Sequence, residues 1–270
     1  MVCRIIEVSR SDYYRVVKGK DSEEKAIEEA VIHCFKANKE RYGRIRIKKA
    51  LRNEGIEVSE RKISRILKEN GLEAKSGRSG RRKSAKPKEE QYLEGNLIKD
   101  KFSISIPNKL WCSDITVLKC KGSKLYLCGV IDVATRRIVG WAIGKNQTQQ
   151  LAQDAFMMAV GRNPDIPEGA IFHSDRGTQY TAVKTKKMVE ESGFLKSMSR
   201  PGTPSDNQPI ESFWRTLEVE VPDIRHLNFQ EASRAIVSYI ELYYNSHRIH
   251  SGINYLIPNE AFTLRCVPKY

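Results

Sequence analysis

The sequence predicts an α/β protein, in which a mixed β-sheet flanked by helices follows a small all-α domain. Short apolar runs between residues 110 and 143 have the length and composition of adjacent antiparallel strands, and strand and helix patterns alternate after them. Residues 24–74 instead contain three amphipathic helical patterns, with apolar residues recurring every three or four positions. We therefore expect two folded domains in this chain of 270 residues.

The expected boundaries follow changes in composition. An N-terminal segment, 1–23, precedes the helical domain 24–74. Residues 75–100 form a basic linker, which begins with Gly, Ser, Pro and charged residues and lacks apolar periodicity. The α/β domain is expected at 101–225, and a C-terminal helix and tail, 226–270, are expected to pack on it.

Three helices are expected in the first domain, at 24–37, 44–53 and 59–70. Ser59 is a favourable N-cap for the third helix, and Asn70-Gly71 is a typical stop signal. In the first helix the apolar residues Ile27, Ala30, Val31, Cys34 and Phe35 share one face, and in the second the apolar residues are Ile45, Ile47 and Leu51. In the third helix Ile63, Ile66 and Leu67 are expected to face inward. Three short helices with a basic last helix fit a helix-turn-helix module, a pattern that other small helical bundles share.

The net charge of +14 is concentrated in one segment. Residues 36–88 hold 19 basic and 6 acidic residues, whereas the rest of the chain holds 28 and 27. This distribution favours a nucleic-acid-binding module over its alternative, a solvated helical face, which would carry balancing acids. The residues expected to contact DNA here are Arg46, Arg61, Lys62, Arg65 and Lys68, together with Arg81, Arg82 and Lys83 of the linker.

The α/β domain begins with three strands that are expected to form an antiparallel meander. The expected strands are 110–119, 125–133, 137–143, 170–173 and 195–199. The expected helices are 148–160, 181–192, a helix that carries Glu211, and 228–245.

Three carboxylates lie in settings that agree with one another. Asp114 is in a strand, Asp175 ends a strand, and Glu211 is in a helical pattern. Buried acids are costly unless something neutralises them, and three converging acids call for a cation. Magnesium prefers oxygen ligands and keeps positions open for substrate phosphates, and two ions can clamp a phosphoryl transfer. Taken alone, Asp114 has the alternative of a hydrogen-bonded structural residue, and Asp175 that of a turn residue.

Asp206 competes with Glu211 as the third ligand. We prefer Glu211, because Asp206 fits a helix N-cap that places Pro209 in the first turn. Asn207 and Arg215 then share a face with Glu211, one turn before it and one turn after it. Asn207 could hydrogen-bond a phosphate or a ligand carboxylate, or it could be an ordinary residue of the first helical turn. Trp214 is expected in the core.

Several other polar residues have two interpretations. His173 either orients the site through a hydrogen bond to a ligand carboxylate or is a satisfied core histidine. Gln179 either contacts DNA or has a structural role. Arg248 and His250 either bind phosphates or cap a polar helix terminus.

The remaining composition excludes some classes of protein. The six cysteines include no C-x-x-C pair and the histidines show no finger-like spacing, so we expect no zinc site. Cys112, Cys120 and Cys128 are expected to be small apolar residues near strands. No apolar run reaches the roughly 18 residues of a membrane span, and no secretory signal begins the chain, so we expect no membrane partner.

Six motifs in order resemble one known family. They are WCSDIT, DVATRRIVGW, HSDRGTQY, SMSRPG, SDNQPIESFW and YYNSHRIH. Together they resemble the insertion sequence three family of bacterial transposases, specifically its second-reading-frame product, over nearly the whole chain. Three positions depart from the family pattern: Gln208 stands for a small residue, Trp214 for an aromatic that is commonly Phe, and Glu218 for a basic residue.

The resemblance implies a ribonuclease-H-like integrase core whose triad is Asp114, Asp175 and Glu211. It also implies cleavage of element ends and strand transfer with two Mg²⁺ or Mn²⁺ ions, in a cytoplasmic, nucleoid-associated protein. Expected partners are element-end and target DNA, other copies of the chain on DNA, and an upstream helix-turn-helix and leucine zipper supplied by frameshift fusion. We find no sustained heptads here, so we expect this chain alone to dimerise weakly off DNA and to recognise the ends only modestly.

Two other functions remain open at this point. One is a non-catalytic DNA-binding regulator derived from a transposase, which the intact carboxylates disfavour. The other is a stand-alone ribonuclease-H-type nuclease, which would not need the basic module.

Overall fold

The computed structural model describes residues 10–75, 95–98, 104–200 and 203–266. The chain divides into two compact units, Met1–Ser76 and Gly77–Tyr270. The linker residues Arg81, Arg82 and Lys83, which are expected to contact DNA, lie outside the described residues. No helix in the described ranges is long and apolar enough to cross a membrane.

The described part of the N-terminal unit, residues 10–75, contains three helices, α1 (Arg10–Ala37), α2 (Arg44–Asn53) and α3 (Glu60–Glu69). The Ser59 hydroxyl accepts a hydrogen bond from the Lys62 amide at 3.2 Å, which confirms the predicted N-cap of α3. The helices meet around a buried apolar core of Val31, Cys34, Phe35, Tyr42, Ile47, Leu51, Val58, Ile63, Ile66 and Leu67. This arrangement confirms the predicted helical domain.

Two details of this unit differ from the prediction. Helix α1 begins at Arg10 rather than at residue 24, where the apolar pattern begins. An existing helix can extend beyond its apolar stripe, because each added residue gains a backbone hydrogen bond. Ile45, one of the apolar positions of the predicted amphipathic pattern, is 39% exposed. Ile47 and Leu51 are one turn apart on the buried face, and a residue two positions before Ile47 lies on the other side of the helix.

The second unit is built on one mixed sheet in the order β3-β2-β1-β4-β5. Its strands are β1 (Leu110–Cys120), β2 (Ser123–Asp132), β3 (Ile138–Gly144), β4 (Ala170–Ser174) and β5 (Phe194–Met198). The first three pair antiparallel as the predicted meander, whereas β4 pairs parallel to β1 and β5 parallel to β4. Parallel pairing brings the carboxyl ends of β4 and β5 to the same edge.

Helices cover both faces of this sheet. The elements after the meander are α4 (Gln149–Arg162), α5 (Thr178–Thr181), α6 (Val183–Glu191), α7 (Gln208–Glu220), α8 (Phe229–Ser238) and α9 (Pro258–Cys266). One core contains Trp111 of β1 with apolar residues of α4, α5 and α6, and the other contains Cys112 with residues of α7 and α8. Trp111 and Cys112 are thus buried in different cores on the two faces of the sheet, because successive side chains of a strand point to opposite faces. Cys112, Cys120 and Cys128 are buried, as predicted.

The predicted C-terminal helix 228–245 changes geometry partway. Asn228 and Glu231 form a capping box at the start of α8, and residues Tyr239–Tyr244 continue it as a π-helix. The Asn245 amide donates to the Ile240 carbonyl at 3.0 Å, the five-residue spacing of a π turn. This wider turn lets Tyr239 and Tyr244, five positions apart, both enter the core.

Candidate active site

Asp114 lies mid-way along β1 on the face that packs against α7. The Trp214 indole N–H donates to Asp114 Oδ2 at 2.9 Å. Directly opposite Asp114 on β2 is Gly129. A Cβ at position 129 would lie 2.7 Å from Cη2 of Trp214. The glycine therefore leaves the room in which the Trp214 ring reaches the carboxylate.

Electrostatics link the three predicted ligands. Burial, together with the negative charges of Asp175 and Glu211, raises the pKa of Asp114 to about 7, while the hydrogen bonds from Ile115 and Trp214 oppose this increase. Since Asp175 and Glu211 each act on Asp114, the fold brings all three carboxylates into one electrostatic environment. Asp114 is thus in the setting in which a cation would be most stabilising.

Asp175 follows directly after β4 and is exposed. Ser174, the last residue of β4, pairs in parallel register with Ser113, so Asp175 and Asp114 follow neighbouring positions on adjacent strands. The Gly177 amide donates to Asp175 Oδ1 at 3.0 Å. Gln179 Oε1 and Asp175 Oδ1 both lie within 3.0 Å of where a Cβ at position 177 would be, so Gln179 is beside the carboxylate.

Glu211 lies in the first turn of α7 and is half-buried, and Pro209 is in that turn as predicted. The Arg215 side chain is exposed one turn later, and its Nε donates weakly to the Glu211 carbonyl at 3.4 Å. Asn207 is 3% exposed and donates from Nδ2 to the Ser113 carbonyl at 2.9 Å. Its Oδ1 is buried and has no hydrogen-bond partner within the described part of the chain.

Ser113 joins the three carboxylate-bearing segments. Its carbonyl accepts from Asn207, at the start of the helix that carries Glu211. Its hydroxyl bonds the Tyr180 hydroxyl at 2.8 Å, in the segment that follows Asp175. Ser113 itself precedes Asp114. Sequence patterns could not reveal this junction, because its partners are 67 and 94 positions away and no local pattern reports such contacts.

Asp206 has a different role from the one predicted. The N-cap of α7 is Asn207, and Asp206 lies in a preceding 3₁₀ turn, Pro204–Asn207. Its carboxylate is fully buried and accepts hydrogen bonds from Arg200 at 2.7–2.9 Å and from Asn96 at 2.9 Å. Because Arg200 neutralises it, Asp206 is a poor metal ligand, which supports the choice of Glu211.

His173 is a core histidine. Its Nδ1 bonds the Ser197 hydroxyl at 2.9 Å and its Nε2 bonds the Ser199 hydroxyl at 3.0 Å. Burial lowers its pKa to about 4, so the ring is neutral near pH 7. Since both nitrogens bond serines of the β5 region, the interpretation in which His173 orients a ligand carboxylate is wrong, and the histidine instead ties β4 to β5.

Arg248 does not face DNA, contrary to one interpretation of the sequence. It is 3% exposed and makes a bidentate ion pair with Glu220, with its Nε and Nη2 at 2.8–3.0 Å from the carboxylate oxygens. Tyr239 also donates to Glu220 Oε2 at 3.0 Å. Nearby, His250 Nδ1 accepts from the Gly252 amide at 3.0 Å, which caps a short 3₁₀ turn. The structural interpretation thus applies to Arg248, while half-exposed His250 has one nitrogen used in the cap.

Helix α3 of the N-terminal unit presents the predicted basic side chains. Arg61, Arg65 and Lys68 are exposed, and Lys62 is half-buried with its Nζ 3.6 Å from Glu24. Arg46 of α2 is half-buried, with its guanidinium 5.9 Å from the Tyr42 ring centroid. Arg61, Arg65 and Lys68 are therefore accessible to a polyanion.

Among the described residues, no three His, Cys, Asp or Glu side chains are gathered closely enough to form a ready-made metal cage. The chemistry of Asp114, Asp175 and Glu211 nevertheless fits a hard divalent cation, because all three offer carboxylate oxygens. The raised pKa of Asp114 agrees, since a bound cation would offset both the burial and the repulsion that raise it.

Comparisons with known proteins agree with this architecture. Family models described as "Integrase core domain" match residues 105–204 and 192–258, and one described as "HTH-like domain" matches residues 21–80. The catalytic core domain of HTLV-2 integrase in complex with magnesium aligns with a TM-score of 0.38 and 18% identity, covering 54% of this chain and 92% of that chain. This likeness is too distant to carry an inference.

Curated relatives are much closer in sequence. The transposase for insertion sequence element IS904 of Lactococcus lactis is 37% identical over 88% of this chain and 94% of its own length. The transposase InsF for insertion sequence IS3A of Escherichia coli is 33% identical over 96% of this chain and 92% of its own length. With both domains matched in order, this chain belongs to the IS3 family of transposases.

Proposed function

We propose that this protein is a DDE-type polynucleotidyl transferase that cleaves the DNA ends of an insertion sequence and joins them to target DNA. The observation that carries the proposal is the shared electrostatic environment of Asp114, Asp175 and Glu211 within an integrase core. Two other buried acids of this unit, Asp206 and Glu220, each have an arginine partner. The three proposed catalytic acids have none among the described residues, so they are suited to an external cation.

Asp114, Asp175 and Glu211 would hold two Mg²⁺ or Mn²⁺ ions. When bound, such ions activate water or a DNA 3′-hydroxyl as the nucleophile and stabilise the leaving oxygen. The protein supplies position: Gly177 orients the Asp175 carboxylate through its amide, and the Ser113 junction holds β1 and α7 together. Gln179 and Arg215, beside Asp175 and Glu211, are placed to contact the DNA near the cleaved bond.

The N-terminal unit would bind the element ends through α3. Its exposed Arg61, Arg65 and Lys68, with Lys62, form the basic side of a helix-turn-helix that lies in a groove or along phosphates. Asn207 is buried, so its part is to position α7 rather than to touch a phosphate. The active form is a homo-oligomer on DNA, located on the bacterial nucleoid in the cytoplasm, with the upstream frame adding end recognition through a fused helix-turn-helix and leucine zipper.

A strand-transfer assay with paired element-end DNA tests the proposal. The full chain and its fusion form are compared with Mg²⁺, Mn²⁺ or EDTA, and metal-dependent end cleavage and joining are expected. DNA binding without any metal-dependent cleavage by either form would overturn the proposal in favour of a non-catalytic regulator.

A further inference from the structure

Trp214 stands out for two reasons. Its side chain contacts a predicted metal ligand, and its ring fits only because the facing position on another strand is a glycine. The ring is 4% exposed and lies in the core between α7 and the sheet. Its indole N–H nonetheless points to Asp114 Oδ2, at 2.9 Å. A phenylalanine at this position would fill most of the same core volume, but it has no donor to offer the carboxylate.

Gly129 makes this contact possible. It pairs directly with Asp114 across β1 and β2, and added atoms there would meet Trp214 Cη2 at 2.7 Å and Cζ2 at 3.3 Å. Both atoms belong to the six-membered part of the indole, the part that is rigidly joined to Nε1. Any side chain at position 129 would thus displace the ring and move its N–H away from Asp114.

We propose that Trp214 and Gly129 act as one positioning device, which fixes the orientation of the Asp114 carboxylate for the divalent cation. This inference rests on the proposed function, since it assumes that Asp114 is a metal ligand. A hydrogen bond to one carboxylate oxygen restricts rotation of the group, so less conformational freedom is lost when a cation binds. Partners of this kind typically contribute 10-fold to 100-fold in metal affinity.

Trp141 provides a matched control. Its indole N–H also donates to a carboxylate, Glu241 Oε1, at 2.6 Å, but this pair lies on β3 and the π-helix and includes no proposed ligand. Trp214→Phe and Trp141→Phe each remove one indole donor from one acid. If only the Trp214→Phe variant binds metal more weakly, the effect results from the contact of Trp214 with Asp114 and not from the loss of an indole in general.

The test measures Mn²⁺ binding to the full chain without DNA, by following free Mn²⁺ with electron paramagnetic resonance. Trp214→Phe should weaken Mn²⁺ binding by about 10-fold, whereas Trp141→Phe should leave it unchanged. In strand transfer, Trp214→Phe should raise the half-saturating Mn²⁺ concentration by a similar factor, and the rate at saturating Mn²⁺ should stay within about threefold, because the ligand itself is intact.

Gly129→Ala separates this device from simple packing. In the native background it should weaken Mn²⁺ binding as Trp214→Phe does. In the Trp214→Phe background it should have little further effect on Mn²⁺ binding, because the smaller ring lacks the atoms that the new methyl would meet and the donor is already gone. Additive effects of the two substitutions on Mn²⁺ affinity would contradict a shared device.

Two failures are distinguishable. If the native chain binds Mn²⁺ and Trp214→Phe binds it equally well with a lower unfolding temperature, Trp214 is only a core residue and the inference is overturned. If the native chain and Asp114→Asn bind Mn²⁺ identically, Asp114 is not a ligand. That result would overturn the proposed function and the inference together.

Discussion

The two ends of helix α7 carry acids in opposite circumstances. Glu220, near its C-terminal end, is 5% exposed and is held by Arg248 and Tyr239. Although burial opposes its charge, the pKa of Arg248 is raised by the hydrogen bonds and charge of Glu220, so the guanidinium stays charged inside the core. Glu211, in the first turn, is half-buried, and no described cation lies within ion-pair distance of it.

The difference separates structure from function on a single helix. A buried acid that receives a guanidinium is neutralised by the protein itself and has no capacity for a ligand. An acid that faces two other acids is left with a repulsion that the protein does not neutralise, so that either a proton or an outside cation relieves it. By this criterion Glu220 and Asp206 are structural, whereas Asp114, Asp175 and Glu211 are suited to the metal-binding role that we propose for them.

The largest expected effect comes from removing one of the three unneutralised acids. Asp114→Asn, Asp175→Asn or Glu211→Gln should each lower strand transfer by about a thousandfold or more, roughly 4 kcal/mol of transition-state stabilisation. DNA binding should remain close to native, because the basic surface is elsewhere. Quantitative strand-transfer and gel-shift assays on the same preparations measure both. Native turnover in Glu211→Gln, together with loss in Asp206→Asn at full folding, would show that Asp206 is the third ligand.

A substitution at the C-terminal end of α7 should instead lower the stability of the fold. Glu220→Gln leaves the Arg248 charge buried without its partner and should cost about 3–5 kcal/mol of unfolding free energy. Glu211→Gln, the matched substitution on the same helix, should cost far less. Chemical denaturation of the two variants without metal makes the comparison, and equal losses of stability would contradict it.

Most of the basic side chains of α3 are exposed, so we expect them to bind DNA phosphates, just as we expect the acids without cationic partners to bind a metal ion. Replacing Arg61, Lys62 and Arg65 with Gln should flatten the log–log salt dependence of DNA binding by about 0.9 for each phosphate that is no longer neutralised. The control is Lys186→Gln with Lys187→Gln on α6, whose ammonium groups lie 3.6–3.9 Å from Glu190 and Glu191. An unchanged slope in the triple variant would move the main DNA-binding surface to the catalytic unit.

The smallest expected effect is a pH-dependent change in stability without metal. The pKa of Asp114 is raised in the folded state to about 7 from 3.8, so its protonated form is favoured by folding. The stability that it contributes is complete below 3.8 and is lost as the pH rises through 7. Asp114→Asn should therefore unfold at a higher temperature than the native chain at pH 8, and the gap should close towards pH 4. A gap that is constant with pH would contradict the raised pKa.

Much of this molecule could be predicted from the sequence, because period and capping are local signals. Short patterns predicted the mixed sheet, the N-cap at Ser59, and the placement of Asp114 in a strand and of Asp175 at the end of one. The errors share a different origin. Local patterns do not show any partner for the polar side chains of Arg248 and His173. In the structure, Arg248 forms an ion pair with Glu220. His173 forms hydrogen bonds with Ser197 and Ser199, which are also distant in sequence. The π turn at Tyr239 likewise results from core packing.

Trp214 illustrates the limit most directly. Its burial could be predicted from the helical pattern, and the structure confirms it. Its hydrogen bond to Asp114 could not be predicted, because it depends on the absence of a side chain at Gly129, on a strand that the sequence alone cannot align with α7.

The junction at Ser113 has a consequence for synthesis of the chain. The partners that it joins are Tyr180 and Asn207, so the carboxylate-bearing segments are held together only after residue 207 has left the ribosome. Contacts between such distant positions form late in folding, because the intervening chain must first lose its loop entropy. Under the proposed function, a nascent or truncated chain with a folded N-terminal unit would therefore bind DNA before its three carboxylates are assembled, and DNA cleavage would begin only in the finished molecule.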